Sequence, residues 1–299
     1  MVAIRSVVAA TDLSAPARRA VDRAARVCAT AIAPLTLVHA VNASALSELR
    51  RWLDTGEDIE RSILDDVRAR MHELATQIGA RYRIDVDPQT VTGRAVDEIT
   101  RLADDRHADL IVTGTLGTGL FRYHLVGSTA ERVAKKSARP VLMVRQPARD
   151  AYRRVLVPVD FSRWAAPSIE IATAVAPDAH FLLVHCVNMP FEGRMHLVGV
   201  DGSVVDGYRE DARDDARRRL AELASRAGLA HDRWTPLTPT RLDPWMAIVQ
   251  AEQEQDCDLI VIGKHGRNVV EEFWLGSTTG MVIAEGASDV LVSTGADEA

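Results

Sequence analysis

Apolar positions along the chain follow two rhythms that alternate from end to end. Continuous aliphatic and β-branched runs read as strands buried on both faces, and runs with apolar residues three and four apart read as amphipathic helices. The first strand is Ile4-Arg-Ser-Val-Val-Ala-Ala-Thr-Asp12. Ser14 then offers a helix N-cap with Pro16 in the first turn, and Ala20, Val21, Ala24, Val27 and Cys28 continue at helical spacing to Ala31. Leu35 to Val41 is the second strand. A long charged and apolar segment to about Ile78 reads as helix, with Gly56 a break. Arg81 to Val91 reads as a third strand, Ala95 to Asp105 as helix and Leu110 to Thr113 as a fourth strand. A helix over Ser128 to Lys136 and a last strand at Pro140 to Val144 complete the unit.

After the linker Arg145 to Asp150 the pattern starts again. Arg154-Val-Leu-Val-Pro-Val-Asp160 repeats the first strand and its terminal aspartate. Phe181 to Val187 repeats the second, down to a Val-His pair, and Val290 to Ser293 repeats the last. The spacing predicts two whole domains, 1–147 and 151–295, rather than a solenoid. Strands alternating with helices predict parallel α/β sheets joined by right-handed crossovers. In such sheets ligands lie beyond the carboxyl ends of the strands, where strand order reverses. Asp12, Gly114, Asp160 and Gly263 all fall at those ends.

Composition narrows the class. The 299 residues are 47% hydrophobic and 26% charged, as in globular proteins, and the formal charge of −6 speaks against nucleic acid as main partner. Only three of the basic residues are lysines, and the bias crosses both halves, so it reads as coding composition rather than a patch. Cys28, Cys186 and Cys257 form no CxxC pair, which indicates neither a disulfide framework nor a thiolate zinc site. No signal-peptide pattern and no membrane-length apolar run is present, so the expected location is the cytoplasm.

The chemistry concentrates in a stretch that occurs twice. Each copy is an apolar strand followed by Gly-x2-Gly-x9-Gly-Ser-Thr: Gly114, Gly117, Gly127, Ser128 and Thr129, then Gly263, Gly266, Gly276, Ser277 and Thr278. A glycine directly after a buried strand lets the backbone turn sharply beside a ligand. The later Gly-Ser-Thr opens a helix whose free N–H groups and hydroxyls can meet an anion. Tight turns alone are the plainer reading of these glycines. The second loop also carries Lys264, His265 and Arg267, where the first has Thr115, Leu116 and Thr118, so a steeper salt dependence is expected at the second site. Glu271 and Glu272 are the competing partners for those cations.

These residues make the chain resemble the universal stress protein family over nearly its whole length, as a tandem member. The resemblance rests on Asp12 and Asp160, the two glycine stretches, and the closing segments Gly127-Ser-Thr-Ala-Glu-Arg-Val and Pro140-Val-Leu-Met-Val. It implies two Rossmann-like domains, each an open five-stranded parallel sheet of order 3-2-1-4-5 with helices on both faces. It further implies a stress-response role and ATP binding, with Mg2+ as the candidate companion ion. By position, Asp12 and Asp160 would face the nucleoside and the backbone at Val41 and Val187 the adenine. Gly114 and Gly263 would admit the ribose, and the remaining glycines, Ser128, Thr129, Ser277 and Thr278 would hold phosphate. The domains would join through their last strands as an internal pseudo-dimer; a further homodimer is left open. The second half departs where Val91-Thr-Gly93 becomes a glycine-free Thr238 to Pro244, and where Arg139-Pro140 becomes Ser288-Asp289.

An enzyme is the rival class. No Gly-x4-Gly-Lys-Ser/Thr loop, His-Glu-x-x-His or Gly-x-Ser-x-Gly elbow is present, and one carboxylate per site is thin for organised phosphoryl transfer. The readings are therefore a nucleotide-dependent regulatory module first, then a slow ATPase, then an interaction protein with vestigial pockets. Asp12 also reads as a simple turn residue, and His39 and His185 as structural rather than metal-binding. Residues 189–204 read as a lid or a long loop.

Overall fold

The computed structural model describes residues 2–44, 48, 56–115, 128–189, 192–240, 243–264 and 275–295. In the first half, β1 (Val7–Ala10), α1 (Ala15–Ala31), β2 (Leu35–Val41), α2 (Gly56–Tyr82) and β3 (Val86–Thr92) come first. They are followed by α3 (Ala95–Asp105), β4 (Leu110–Gly114), α4 (Ser128–Lys136) and β5 (Val141–Val144). The second half runs β6 (Arg154–Pro158), α5 (Ala165–Val175), β7 (His180–Val184), α6 (Glu192–Leu197), α7 (Gly202–Arg226) and β8 (Trp234–Leu237). It ends with α8 (Pro244–Glu254), β9 (Leu259–Gly263), α9 (Ser277–Glu285) and β10 (Asp289–Ser293).

All ten strands form one sheet of order β3-β2-β1-β4-β5-β10-β9-β6-β7-β8. Each half has the 3-2-1-4-5 order, and within each half every pairing is parallel. The strands separate two apolar layers, as the continuous hydrophobic runs require. Leu110 and Val112 join the layer under α1, α2, α5 and α7, and Ile111 between them joins the layer under α3, α4, α8 and α9. Below the sheet, Asp109 accepts the N–H groups of Arg5 (2.7 Å) and Ser6 (3.1 Å), and Asp258 those of Arg153 (2.8 Å) and Arg154 (3.1 Å). These two carboxylates fix the entry of each half's first strand beside its fourth.

The first strand of each half is shorter than expected, Val7–Ala10 within Ile4 to Asp12 and Arg154–Pro158 within Arg154 to Asp160, and two further strands differ in their bounds. The helix before β3 continues through Tyr82, because the Tyr82 hydroxyl donates to Asp22 at 3.1 Å and Arg81 pairs with the same carboxylate at 3.6 Å. Arg83 at φ 56° then turns the chain, so β3 starts at Val86 instead of Arg81. In the second half β7 begins at His180 and ends at Val184, with Val187 reaching its neighbour only through an isolated bridge to Thr240. The outer strands each carry a proline, Pro88 in β3 and Pro236 in β8, which removes a donor and blunts these edges against further strand addition.

The halves meet as the resemblance implied. β5 and β10 pair antiparallel, with Leu142 opposite Leu291, flanked by Val141–Val292 and Met143–Val290. Beside this ladder Asp289 is wholly buried. Its carboxylate accepts from the Tyr152 hydroxyl (2.6 Å) and the N–H groups of Arg145 (2.8 Å) and Gln146 (3.0 Å), and pairs with Arg23 Nε at 3.3 Å. The Arg23 guanidinium lies over the Tyr152 ring at 3.9 Å. One acid thus ties α1, the linker and β10 together. Removing one partner of a buried charged cluster leaves the others desolvated and unpaired, so Asp289→Ala is expected to lose about 3–5 kcal/mol of stability in urea unfolding. A loss within about 0.5 kcal/mol, the range of ordinary surface changes, would show that the carboxylate does not hold the seam.

Candidate functional site: the crevices at the strand ends

The same turn closes the first strand of each half. After β1, Asp12 Oδ1 accepts the Ser14 N–H at 3.0 Å while Leu13 takes φ 62°, and Ser14 Oγ caps α1 by accepting from Ala17 N at 3.3 Å. After β6, Asp160 Oδ1 accepts the Ser162 N–H at 2.9 Å with Phe161 at φ 58°. A bulky residue in the left-handed region costs on the order of 1 kcal/mol or more. The strand-two histidines brace each turn. His39 Nδ1 donates to the Thr11 carbonyl at 2.8 Å, and His185 Nδ1 to the Val159 carbonyl at 2.7 Å. Because a carbonyl can only accept, each bond places the ring proton on Nδ1. The repeated Val-His pair is therefore a support for the aspartate turn.

In the second half these elements enclose a cavity of about 360 Å3 between β6, β9 and the starts of α5, α8 and α9. Such a volume lies within the usual range for small-molecule sites, about 300–1,000 Å3. Asp160, Gly263, Gly276, Ser277 and Thr278 line it, as do Trp164, Cys186, Pro244 and Ile262, which sequence reasoning had not assigned to the site. Gly276 caps α9 without any side-chain hydrogen bond, so the first-turn N–H groups are not taken by a capping side chain. Thr279 Oγ1 donates to the Gly263 carbonyl at 3.0 Å and ties that helix start to the strand end. None of the described residues of 189–204 lines the cavity; α6 is instead pinned to α7 by Glu192 and Arg209 at 2.6 Å.

The other expected site residues divide. Asp12 and Gly114 sit at the ends of β1 and β4, which are neighbours, and α4 starts at Ser128 with Thr129 exposed. The Val41 carbonyl accepts from Gly93 N at 2.9 Å. Val187 is buried, its N–H given to Pro239 at 2.9 Å, and it does not line the second cavity. Gly117, Gly127, His265, Gly266, Arg267, Glu271 and Glu272 lie outside the described residues.

Lys264 requires a correction. It is not a pocket cation: it is 5% exposed, does not line the cavity, and its Nζ donates to the Ser137 carbonyl of the first half at 3.0 Å. The same device appears in reverse, since the Arg145 guanidinium donates to the carbonyls of Gly286 and Ile283. Each helix that begins with Gly-Ser-Thr thus ends on a cation from across the seam. A positive charge suits the negative end of a helix dipole, just as an anion suits the other end. The salt-sensitivity argument for the second site then rests on Arg267 alone.

A duplicated α/β sheet with paired aspartate turns and a glycine at the end of each half's fourth strand defines a class of double-domain proteins, here with a cavity at the switch point of the second half. The Universal stress protein family model matches residues 3–145 and again 151–293, and the chain belongs to that family. A universal stress protein of Mycobacterium tuberculosis strain H37Rv is 26% identical over 300 residues, covering 96% of this chain and 95% of the relative. The crystal structure of a universal stress protein from Archaeoglobus fulgidus matches with a TM-score of 0.70 at 22% identity, over 98% of this chain and 97% of that one. A universal stress protein solved in complex with cAMP is 30% identical and covers 48% of this chain and 98% of that one, with a TM-score of 0.37.

Among the described residues no group of three or more His, Cys, Asp or Glu is placed to hold a metal ion, and no helix is long and apolar enough to cross a membrane. The three cysteines are free thiols. Burial pushes Cys28 and Cys257 up to about 12 and the cavity-lining Cys186 up to about 11. A raised thiol pKa keeps the neutral, unreactive form at physiological pH. Iodoacetamide should therefore modify Cys186 roughly a hundred-fold more slowly than a free thiol at pH 8, with the rate rising about ten-fold per pH unit up to pH 9. Peptide mapping of the alkylated chain checks this, and labelling at the free-thiol rate would contradict it.

Proposed function

We propose that this chain is an adenine-nucleotide-binding regulatory module, with ATP and its Mg2+ as the first ligand to test. The observation that carries the reading is the second cavity, where the Asp160 turn and the α9 start face one space at the strand ends. A nucleotide suits it chemically: an uncharged wall of Ile262, Ile248 and Val184 for a heterocycle, and a helix N-terminus for phosphate. The first half repeats the Asp turn and the Gly-Ser-Thr helix start, so the reading extends to a site there. Occupancy would set the shape or the partner choice of the protein, in line with a stress-response role.

Mass spectrometry of small molecules released by denaturing the purified chain is the direct test. Adenine nucleotide at up to two equivalents is expected. In calorimetry, Gly127→Trp should abolish ATP binding at the first site by filling the space that phosphate needs. Unchanged affinity at both sites would sink the assignment of that loop, and no binding by the unaltered chain would sink the function.

Hydrolysis is a separate matter. The described part of each crevice offers one aspartate already bonded to its own turn, and no second carboxylate lines the second cavity. Turnover should fall below the usual enzyme range of about 1–1,000 per second. Phosphate release at or above about 1 per second would move the protein into the ATPase class.

A further inference from the structure

Thr113 is buried, 3% exposed, and its hydroxyl has no hydrogen-bond partner. Among the described residues the other buried side-chain atoms in that condition belong to Arg18, Arg23, Arg209 and Glu252, each of which uses its remaining atoms in bonds or ion pairs. Thr113 is the case where the whole polar group is left over. Burying an unbonded hydroxyl is destabilising, and valine would fill the same volume without that penalty.

Its place in the fold says what the hydroxyl serves. Thr113 is the penultimate residue of β4, next to Gly114 at the ligand end of the sheet. The 149-residue offset that relates Gly114 to Gly263 relates Thr113 to Ile262. Ile262 lines the second cavity and packs in one apolar cluster with Val184 and Ile248, which line it too. Strand alternation puts Thr113 on the same face as Ile111, which packs in the layer that also contains Ile262. By this correspondence the orphan hydroxyl takes, at the ligand end of the first half's sheet, the place that Ile262 takes in the second cavity.

We propose that Thr113 is a specificity-determining residue of the first site, its hydroxyl bonding a polar edge of the ligand's heterocycle. This rests on the nucleotide reading above and deepens it. The hydroxyl both donates and accepts, so it completes its bonding only when a polar ring edge arrives. The second site, with Ile262 in that place, holds its heterocycle by apolar contact alone at this wall. The two sites of one chain then differ in what they read: the first senses the polar pattern of the base, the second chiefly its shape.

The test uses the full chain with Thr113→Val, Thr113→Ser as the hydroxyl-retaining control, and the second site as reference in a two-site isotherm. Adenosine, ATP and inorganic tripolyphosphate are the probes. Thr113→Val should weaken adenosine and ATP at one site by roughly three- to ten-fold, by the same factor at low and high salt, and leave tripolyphosphate unchanged. Thr113→Ser should keep most of the affinity. Without ligand, Thr113→Val should unfold at the same or higher urea concentration, which separates a lost ligand bond from a damaged fold. Equal nucleoside affinity in Thr113→Val, with the unaltered chain binding normally, would overturn this inference alone and mark the hydroxyl as a plain structural orphan. Loss of tripolyphosphate affinity would overturn it too, by placing Thr113 at the anion. No nucleotide binding by the unaltered chain would remove the reading and the inference together.

Discussion

The antiparallel pairing of β5 with β10 is the constraint on which the rest of the molecule depends. An open parallel sheet has two edges of unsatisfied N–H and C=O groups, and two such halves in one chain have four. Pairing the two last strands removes two of them, and Pro88 and Pro236 blunt the other two. The pairing also fixes where the crevices lie. α4 and α9 flank the seam strands in sequence, so the helices that open with Gly-Ser-Thr end against the opposite half. The Lys264 and Arg145 contacts with their last carbonyls follow from that placement.

The strand-end turns show a different economy. Leu13 and Phe161 both sit in the left-handed region, where glycine would be easier, yet both halves keep a large apolar residue there. Phe161 shows a reason. Its side chain packs on the core, stands 4.4 Å from the His185 ring and lies under the Arg219 guanidinium at 4.0 Å. The buried contact offsets backbone strain, and the histidine bond to the preceding carbonyl holds the turn in place. A glycine would relax the backbone and lose the anchor. The aspartate just before each of these residues is held in one orientation by a bond to its own turn, which is what a ligand-facing carboxylate needs.

Most of the architecture was legible in the pattern of apolar residues because the strands are buried on both faces and the helices on one. Helices at Ala95–Asp105 and Ser128–Lys136 carry strong periodicity, and the structure reproduces both ranges. β8 was not placed because it is four residues long, contains proline and lies at an edge, where burial imposes little pattern. The repeated glycines and aspartates pointed to the strand ends, since the topology sends both there. What sequence could not reveal was side-chain direction. Lys264 sits in a glycine loop and reads as a phosphate cation, but its long side chain finds a carbonyl in the other half, a contact that depends on how the domains dock. Trp164 likewise enters the cavity only because α5 starts where it does.

The departures between the halves gain meaning from their being one chain. In a symmetric dimer a substitution at the interface appears on both sides and must suit both. A tandem protein is free of that rule. Asp289 takes the place that proline holds at 140, and its partner Arg23 has an apolar counterpart, Ile171, across the pseudo-two-fold. A dimer of the second half would bury two such acids beside two isoleucines, with no guanidinium to answer either. The same freedom acts at the seat of the strand ends. Where the first half has Ala20 and Val144, the second has Ser168 and Ser293, hydrogen-bonded to each other in the interior. The Ser168 hydroxyl also donates to the Trp164 carbonyl at 3.0 Å, so Ser293 is the one whose hydroxyl depends on this pairing for a partner. Thr113 and Ile262 differ with no such protein partner on either side, which is why that exchange points outward, to a ligand, and the others point to the seam.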